Sequence, residues 1–171
     1  MKQHILGLLF LSILYVGCEK DDSNDISTSN AIQVTTGDVS TVGDYQYNFL
    51  ISAEDSVTWH IVIQQKIVSF GDSEYPMPSV STGENVLVAI DASTEFGTIT
   101  SAPDAVEFIY SSSNIEYGGT KEIIHYDMAT HQVSLSNDVY FFYEMVTHKI
   151  FKVQFLEYSN WIVQFQFEPL N

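Results

Sequence analysis

From Gln33 onward, apolar and polar side chains alternate with a period near two, and no other feature restricts the fold as much. The clearest stretches are C-terminal, where Phe151, Val153 and Phe155 alternate with Lys152 and Gln154, and Val163, Phe165 and Phe167 with Gln164 and Gln166. Successive side chains of a strand point to opposite faces, so this pattern suits strands with one buried and one wet face and does not suit a helix. It predicts an all-β fold of antiparallel sheets. Strands are expected over 32–36, 45–52, 57–68, 86–90, 106–110, 122–127, 132–135, 139–144, 150–158 and 161–167, the last two forming a hairpin around Ser159-Asn160.

Two segments lack the alternation. Residues 69–83 hold Gly71, Pro76, Pro78 and Gly83 and read as a long excursion between strands, with Tyr75 and Met77 either packed on the domain or presented to a partner. Residues 93–104 have room for one helical turn, and no repeat of fixed period is visible.

The N-terminus carries a different signal. An apolar run over 5–16 follows Lys2 and ends at Gly17-Cys18, the chain's single cysteine, with Glu19-Lys20-Asp21-Asp22 next. About 12 apolar residues are too few to span a hydrocarbon core, which needs roughly 20, so the run reads as a signal-peptide core. A lone cysteine has no internal disulfide partner, and its position is that of a lipoprotein cleavage site. The expected organisation is a signal over 1–17, a lipidated cysteine and polar tether over 18–30, and one β domain over 31–171, held outside the cytoplasm by lipid alone. Glu19-Lys20-Asp21-Asp22 resembles the Lys-plus-acidic signal that sends lipoproteins of Bacteroidota-type bacteria to the cell surface, and that resemblance implies an exposed position on the outer membrane.

Cleavage at Cys18 leaves 5 lysines and no arginine against 22 acids, a formal charge of −17. Such a surface repels phosphates, which excludes nucleic acid as a partner. It also lacks the bidentate clamp on which carboxylate and phosphate recognition usually relies. No nucleophile elbow, zinc-protease helix or phosphate-binding glycine loop is present, and the acids scatter over tether and loops, so an enzyme is not expected. Among the histidines, His60 reads as a surface strand residue opposite Trp59, and His148 as an exposed turn residue. His125 and His131 flank Tyr126 and Met128, which makes 125–131 the one ligand-rich run.

The stretch Tyr126-Asp127-Met128-Ala129-Thr130-His131-Gln132-Val133-Ser134, with Asp138-Val139-Tyr140-Phe141-Phe142 and Lys149-Ile150-Phe151-Lys152-Val153-Gln154-Phe155, resembles the C-terminal half of HmuY-like lipoproteins, the haemophore family of Bacteroidota. Upstream, Trp59-His60-Ile61-Val62-Ile63 resembles that family's first strand, and Ser101-Ala102-Pro103-Asp104-Ala105 its central segment. The resemblance implies an all-β domain on a surface lipid anchor. It also implies capture of haem for an outer-membrane TonB-dependent receptor, with iron held by paired axial histidines or, in some relatives, methionine. Carried over by position, Met128 or His131 falls in the second-ligand region; the first-ligand region over 108–119 holds neither His nor Met, leaving Tyr110 or Tyr117. The family's Trp-Tyr-x-Tyr has become Ile123-Ile124-His125-Tyr126, and no arginine lies near Tyr143. The alternative expectation is a non-haem lipoprotein on the same scaffold that binds a protein or glycan.

Lipidation at Cys18 has a direct test. Cys18→Ser should move the protein from the membrane fraction to the soluble fraction, whereas retention of the variant in membranes would refute the anchor.

Overall fold

The structure is a computed structural model that describes residues 30–109 and 112–170; Cys18, with the expected signal and most of the tether, and Tyr110 lie outside the described residues. The C-terminal alternation becomes a long hairpin of β10 (Lys149–Ser159) and β11 (Ile162–Leu170). Phe151, Val153, Phe155, Val163, Phe165 and Phe167 are all buried, as their spacing predicts. The turn falls one residue later than expected, at Asn160 and Trp161, with φ of 49° and 66°. Two positive φ angles in a two-residue loop give the type I′ geometry, whose twist matches that of the strands it joins. A β-bulge at Leu156 shifts the register and reverses the phase, so that Tyr158 packs on the core side.

Two antiparallel sheets assemble around this hairpin. β1 (Ile32–Thr35), β6 (Val86–Asp91) and β9 (Val139–Glu144) join it in the order β1-β11-β10-β9-β6. The second sheet comprises β2 (Tyr45–Asn48), β3 (Ala53–Glu54), β4 (Ile61–Phe70) and β5 (Ser73–Thr82) in the order β3-β2-β4-β5. β7 (Ile124–Asp127) and β8 (Gln132–Leu135) form a separate hairpin. One helical turn, α1 (Val39–Val42), capped by the Asp38 carboxylate on the Ser40 amide, links β1 to β2. The sheets meet through Tyr47, Phe49, Ile61, Ile63 and Val80 on one side and Phe142, Phe151, Val153, Phe165 and Phe167 on the other. Burial of each such side chain stabilises the fold by about 1.5–3 kcal/mol.

The expected excursion over 69–83 is instead mostly strand: β5 pairs with β4 without interruption from Phe70↔Ser73 to Ile61↔Thr82. Pro76 and Pro78 are tolerated because β5 is the last strand of its sheet. Two residues apart, they fall on the same edge of β5, where no neighbouring strand asks for an N–H. Residues 106–110 correct the reading in the other direction. A 3₁₀ turn over Ala105–Glu107 and one bridge, Val88↔Ile109, replace the expected strand, and Val106 is 88% exposed. Strand 57–68 begins late, at Ile61, after a turn.

The outer face of the five-stranded sheet is also covered. Phe96 and Ile99, around the 3₁₀ turn Phe96–Thr98, pack on Ala89, Val139, Phe141 and Leu170. Lys152, whose place in the alternation pointed to solvent, is consequently 3% exposed. Its ammonium donates to the carbonyls of Phe96 (3.1 Å) and Ile99 (2.8 Å), pairs with Glu168 (3.1 Å) and sits 4.5 Å from the Phe96 ring centroid. Three acceptors match its three N–H donors, the condition under which a buried charge is tolerated.

The inward face of the long hairpin should dominate stability. Phe155→Ala and Phe165→Ala should each lower the unfolding free energy by about 3–5 kcal/mol in urea titrations; unchanged midpoints in both would invert the assigned faces.

Candidate functional site

Acidic residues build four of the described turns by one rule. In Asp55-Ser56-Val57-Thr58, Asp91-Ala92-Ser93-Thr94, Asp127-Met128-Ala129-Thr130 and Glu144-Met145-Val146-Thr147, the carboxylate accepts the amides two and three residues on. These bonds favour the ionised form. The Thr58 hydroxyl, then the amides of Val57 and Thr58, pull Asp55 down to about 2. Asp91 is lowered chiefly by the Ser93 amide, and Asp127 chiefly by the Ala129 amide. Many of the acids that looked like undirected surface charge therefore hold loops.

Two of these turns are copies. Tyr126-Asp127-Met128-Ala129-Thr130-His131-Gln132-Val133 and Tyr143-Glu144-Met145-Val146-Thr147-His148-Lys149-Ile150 match in type at every position except Gln132/Lys149. In both, the histidine has a positive φ, 56° at His131 and 59° at His148, and its Nδ1 lies 2.6 Å from the hydroxyl of the tyrosine five residues back. The repetition escaped the search for a fixed period because only the turns are duplicated. It also explains His131, since the same Tyr–His bond at an unrelated turn marks a hairpin signature.

The residues nominated for haem are placed as follows. Met128 is 57% exposed on the β7–β8 turn, with His131 three residues further along the same turn. Tyr117 lies on the loop over 115–123, where its amide donates to Ser79 Oγ and its carbonyl receives Lys66 Nζ. Burial, then the charges of Glu122 and Tyr126, push the Tyr117 hydroxyl up, which opposes the phenolate that iron would need. Tyr117, Met128 and His131 are not among the residues that line the cleft at the end of the sandwich. Nearby, His125 Nδ1 pairs with Glu122. Among the described residues, no group of three or more His, Cys, Asp or Glu side chains is placed to hold a metal ion.

A deeper site lies at one end of the sandwich. A cleft of about 570 Å³ opens between the β2–β3 turn, the loop before β4, the β5–β6 connection and the β9–β10 turn. His60 forms part of it, which corrects the surface-strand reading: the residue precedes β4 and is 6% exposed. Its ring stacks on Phe49 at 5.6 Å, and its Nδ1 accepts the Phe49 amide at 2.9 Å. A backbone N–H can only donate, so Nδ1 carries a lone pair and the neutral ring holds its proton on Nε2. Nε2 has no hydrogen-bond partner among the described residues and is not sealed from solvent, and His60 is one of the residues lining the cleft. Burial holds His60 below its ordinary 6.5, with Glu144 and Asp55 opposing.

Around His60 the walls are fixed. Asn48 donates to the carbonyl and hydroxyl of Thr58 and accepts the Leu50 amide. Gly83 passes so close to Trp59 that a Cβ there would lie 2.3 Å from the Trp59 carbonyl, so only glycine fits. Burial pushes the Glu144 carboxyl up, but the Thr147 hydroxyl and amide and the Val146 amide outweigh it, and the net shift is downward. Glu144 is thus an ionised structural acceptor. Neither a protein-family model nor a curated protein matches the chain. What the site can do rests on its own geometry. Sequence reasoning missed it because Trp59-His60 was placed inside a strand; the acid-x-x-Thr form of Asp55 to Thr58 is the signal that would have started β4 later.

Stability should fall with acid in two steps. A histidine with a depressed folded value contributes fully above 6.5 and loses that contribution as pH drops below it. The turn aspartates contribute above their ordinary 3.8 and lose it as pH falls, for Asp55 toward its folded value of about 2. Melting midpoints should be flat from pH 7 to 8, decline below about 6.5 and decline again below about 4. His60→Gln, which keeps an acceptor for the Phe49 amide, should remove the first decline and leave the second.

Proposed function

We propose that the chain is a surface-anchored lipoprotein whose β-sandwich binds a ligand at its open end without transforming it, an HmuY-like scaffold used for something other than haem. The observation that carries this reading is the buried His60 imidazole in the lining of a cleft of about 570 Å³, with Nδ1 occupied by the Phe49 amide, so that the remaining ring nitrogen carries an N–H and no lone pair. A cleft of that size lies within the usual range for small ligands, roughly 300–1,000 Å³. Iron needs the lone pair that Nε2 lacks in this tautomer. Glu84 and Glu144 line the same cleft and no lysine does, so in a chain of net charge −16 without arginine the cleft offers haem propionates no counter-charge. Against catalysis, the Glu144 oxygens are already committed to Val146 and Thr147.

Haem or a related porphyrin, passed to a TonB-dependent receptor, is the competing reading. Its support is the placement of Met128 and His131 on one exposed turn, within the stretch that most resembles the haemophores. Titration of the soluble Cys18→Ser protein with haemin separates the two. We expect no Soret shift that saturates at one equivalent. A saturating shift that is lost in Met128→Ala/His131→Ala, with the circular dichroism unchanged, would return the function to haem.

A further inference from the structure

We infer that the end cleft is a subsite for a neutral saccharide, with the His60 Nε2–H donating to a sugar oxygen. The inference rests on the ligand-binding reading and names its ligand class. The floor supplies one fixed donor, because the Phe49 amide locks the tautomer. Next to it, the side chains of Asn85 and Glu84 are exposed and make no hydrogen bond among the described residues, so acceptors and an amide donor stand ready on the wall. The rim is apolar: Leu50, Val57 and Val146 are large hydrophobic residues left exposed, and all three line the cleft beside Trp59.

Ligand chemistry follows from that arrangement. An anion would meet two glutamates and no arginine. A purely apolar molecule would strand the His60 N–H, at a cost of about 1–3 kcal/mol for an unsatisfied buried donor. A cation would find Glu84 but would face the His60 N–H with no acceptor of its own. A sugar ring carries hydroxyls that both donate and accept, and its C–H face can lie on aliphatic and indole surface. Its neutrality avoids the field of the acidic domain. Glu144 adds charge to the site without competing for the ligand, since its oxygens are held by the Val146 and Thr147 amides and the Thr147 hydroxyl.

The test uses the whole Cys18→Ser chain with ring-nitrogen-labelled histidine. Probes are a panel of neutral gluco-, manno-, galacto- and xylo-oligosaccharides, their uronic-acid and sulfated counterparts, and neutral dipeptides. We expect at least one neutral oligosaccharide to shift the His60 Nε2 resonance saturably and its charged counterpart to bind at least tenfold more weakly. Asn85→Ala and Val146→Asp, both at exposed positions, should each weaken that binding at least tenfold with the melting midpoint unchanged. Binding that neither variant alters would overturn the inference. A His60 response to a dipeptide or a charged sugar, with none to neutral sugars, would overturn the saccharide and keep the binding reading. No response to any probe would overturn both.

Discussion

The ring of Phe49 ties this molecule together. It leaves the end of β2 and enters the opposing sheet, with its centroid 5.7 Å from Phe142, 5.2 Å from Phe151 and 5.0 Å from Phe167, and it stacks on His60. Offset and tilted aromatic contacts of this kind each add about 0.5–1.5 kcal/mol beyond area burial. The backbone of the same residue donates to His60 Nδ1. One residue thus closes the sandwich with its side chain and sets the protonation pattern of the cleft with its amide. Core packing and site chemistry are not separable here.

A second constraint is the two-sided burial of the five-stranded sheet. β9 is buried almost throughout, with Tyr140 and Phe142 toward the second sheet and Val139 and Phe141 under the segment over 92–109. That outer layer is thin and would expose backbone carbonyls to an apolar face. Lys152 resolves the conflict by taking two of those carbonyls and Glu168 into one buried network. Replacing its ammonium with an apolar group would leave acceptors without donors, which is why a charge in this position is compatible with stability.

How much of this was legible in the sequence depends on whether the signal was local. The C-terminal hairpin, β1 and β8 followed from alternation, and β6 and β9 from unbroken β-branched and aromatic residues, which suit strands covered on both faces. β5 was hidden by Pro76 and Pro78, since proline argues against a strand only where both edges are paired, and edge position is a tertiary property. The type I′ turn was misplaced by one residue because Trp161 is an unusual occupant of positive φ; its carbonyl accepts the Val39 amide, and its ring packs on the core, which holds it there. Lys152 and His60 failed for different reasons. Alternation assigns Lys152 to a face of its strand but does not say whether a loop later covers that face, whereas His60 lies before β4, where alternation has no meaning.

The duplicated turn shows how a resemblance and a structure weigh the same residues differently. Tyr126, Met128 and His131 carried the likeness to haem carriers, and a Tyr–His pair on one turn invites a metal reading. Yet Tyr143 and His148 form the same bond with the same backbone on the β9–β10 turn. A feature used twice at turns of one shape is explained by the shape. The His60 ring has no such turn copy among the described residues: it is buried, its Nδ1 accepts a backbone amide, and its Nε2 is left without a protein partner in the lining of a cleft, so a ligand that excludes water there must supply an acceptor. Of the histidines described, it is the buried one, and its tautomer decides that a ligand meeting Nε2 must be an acceptor.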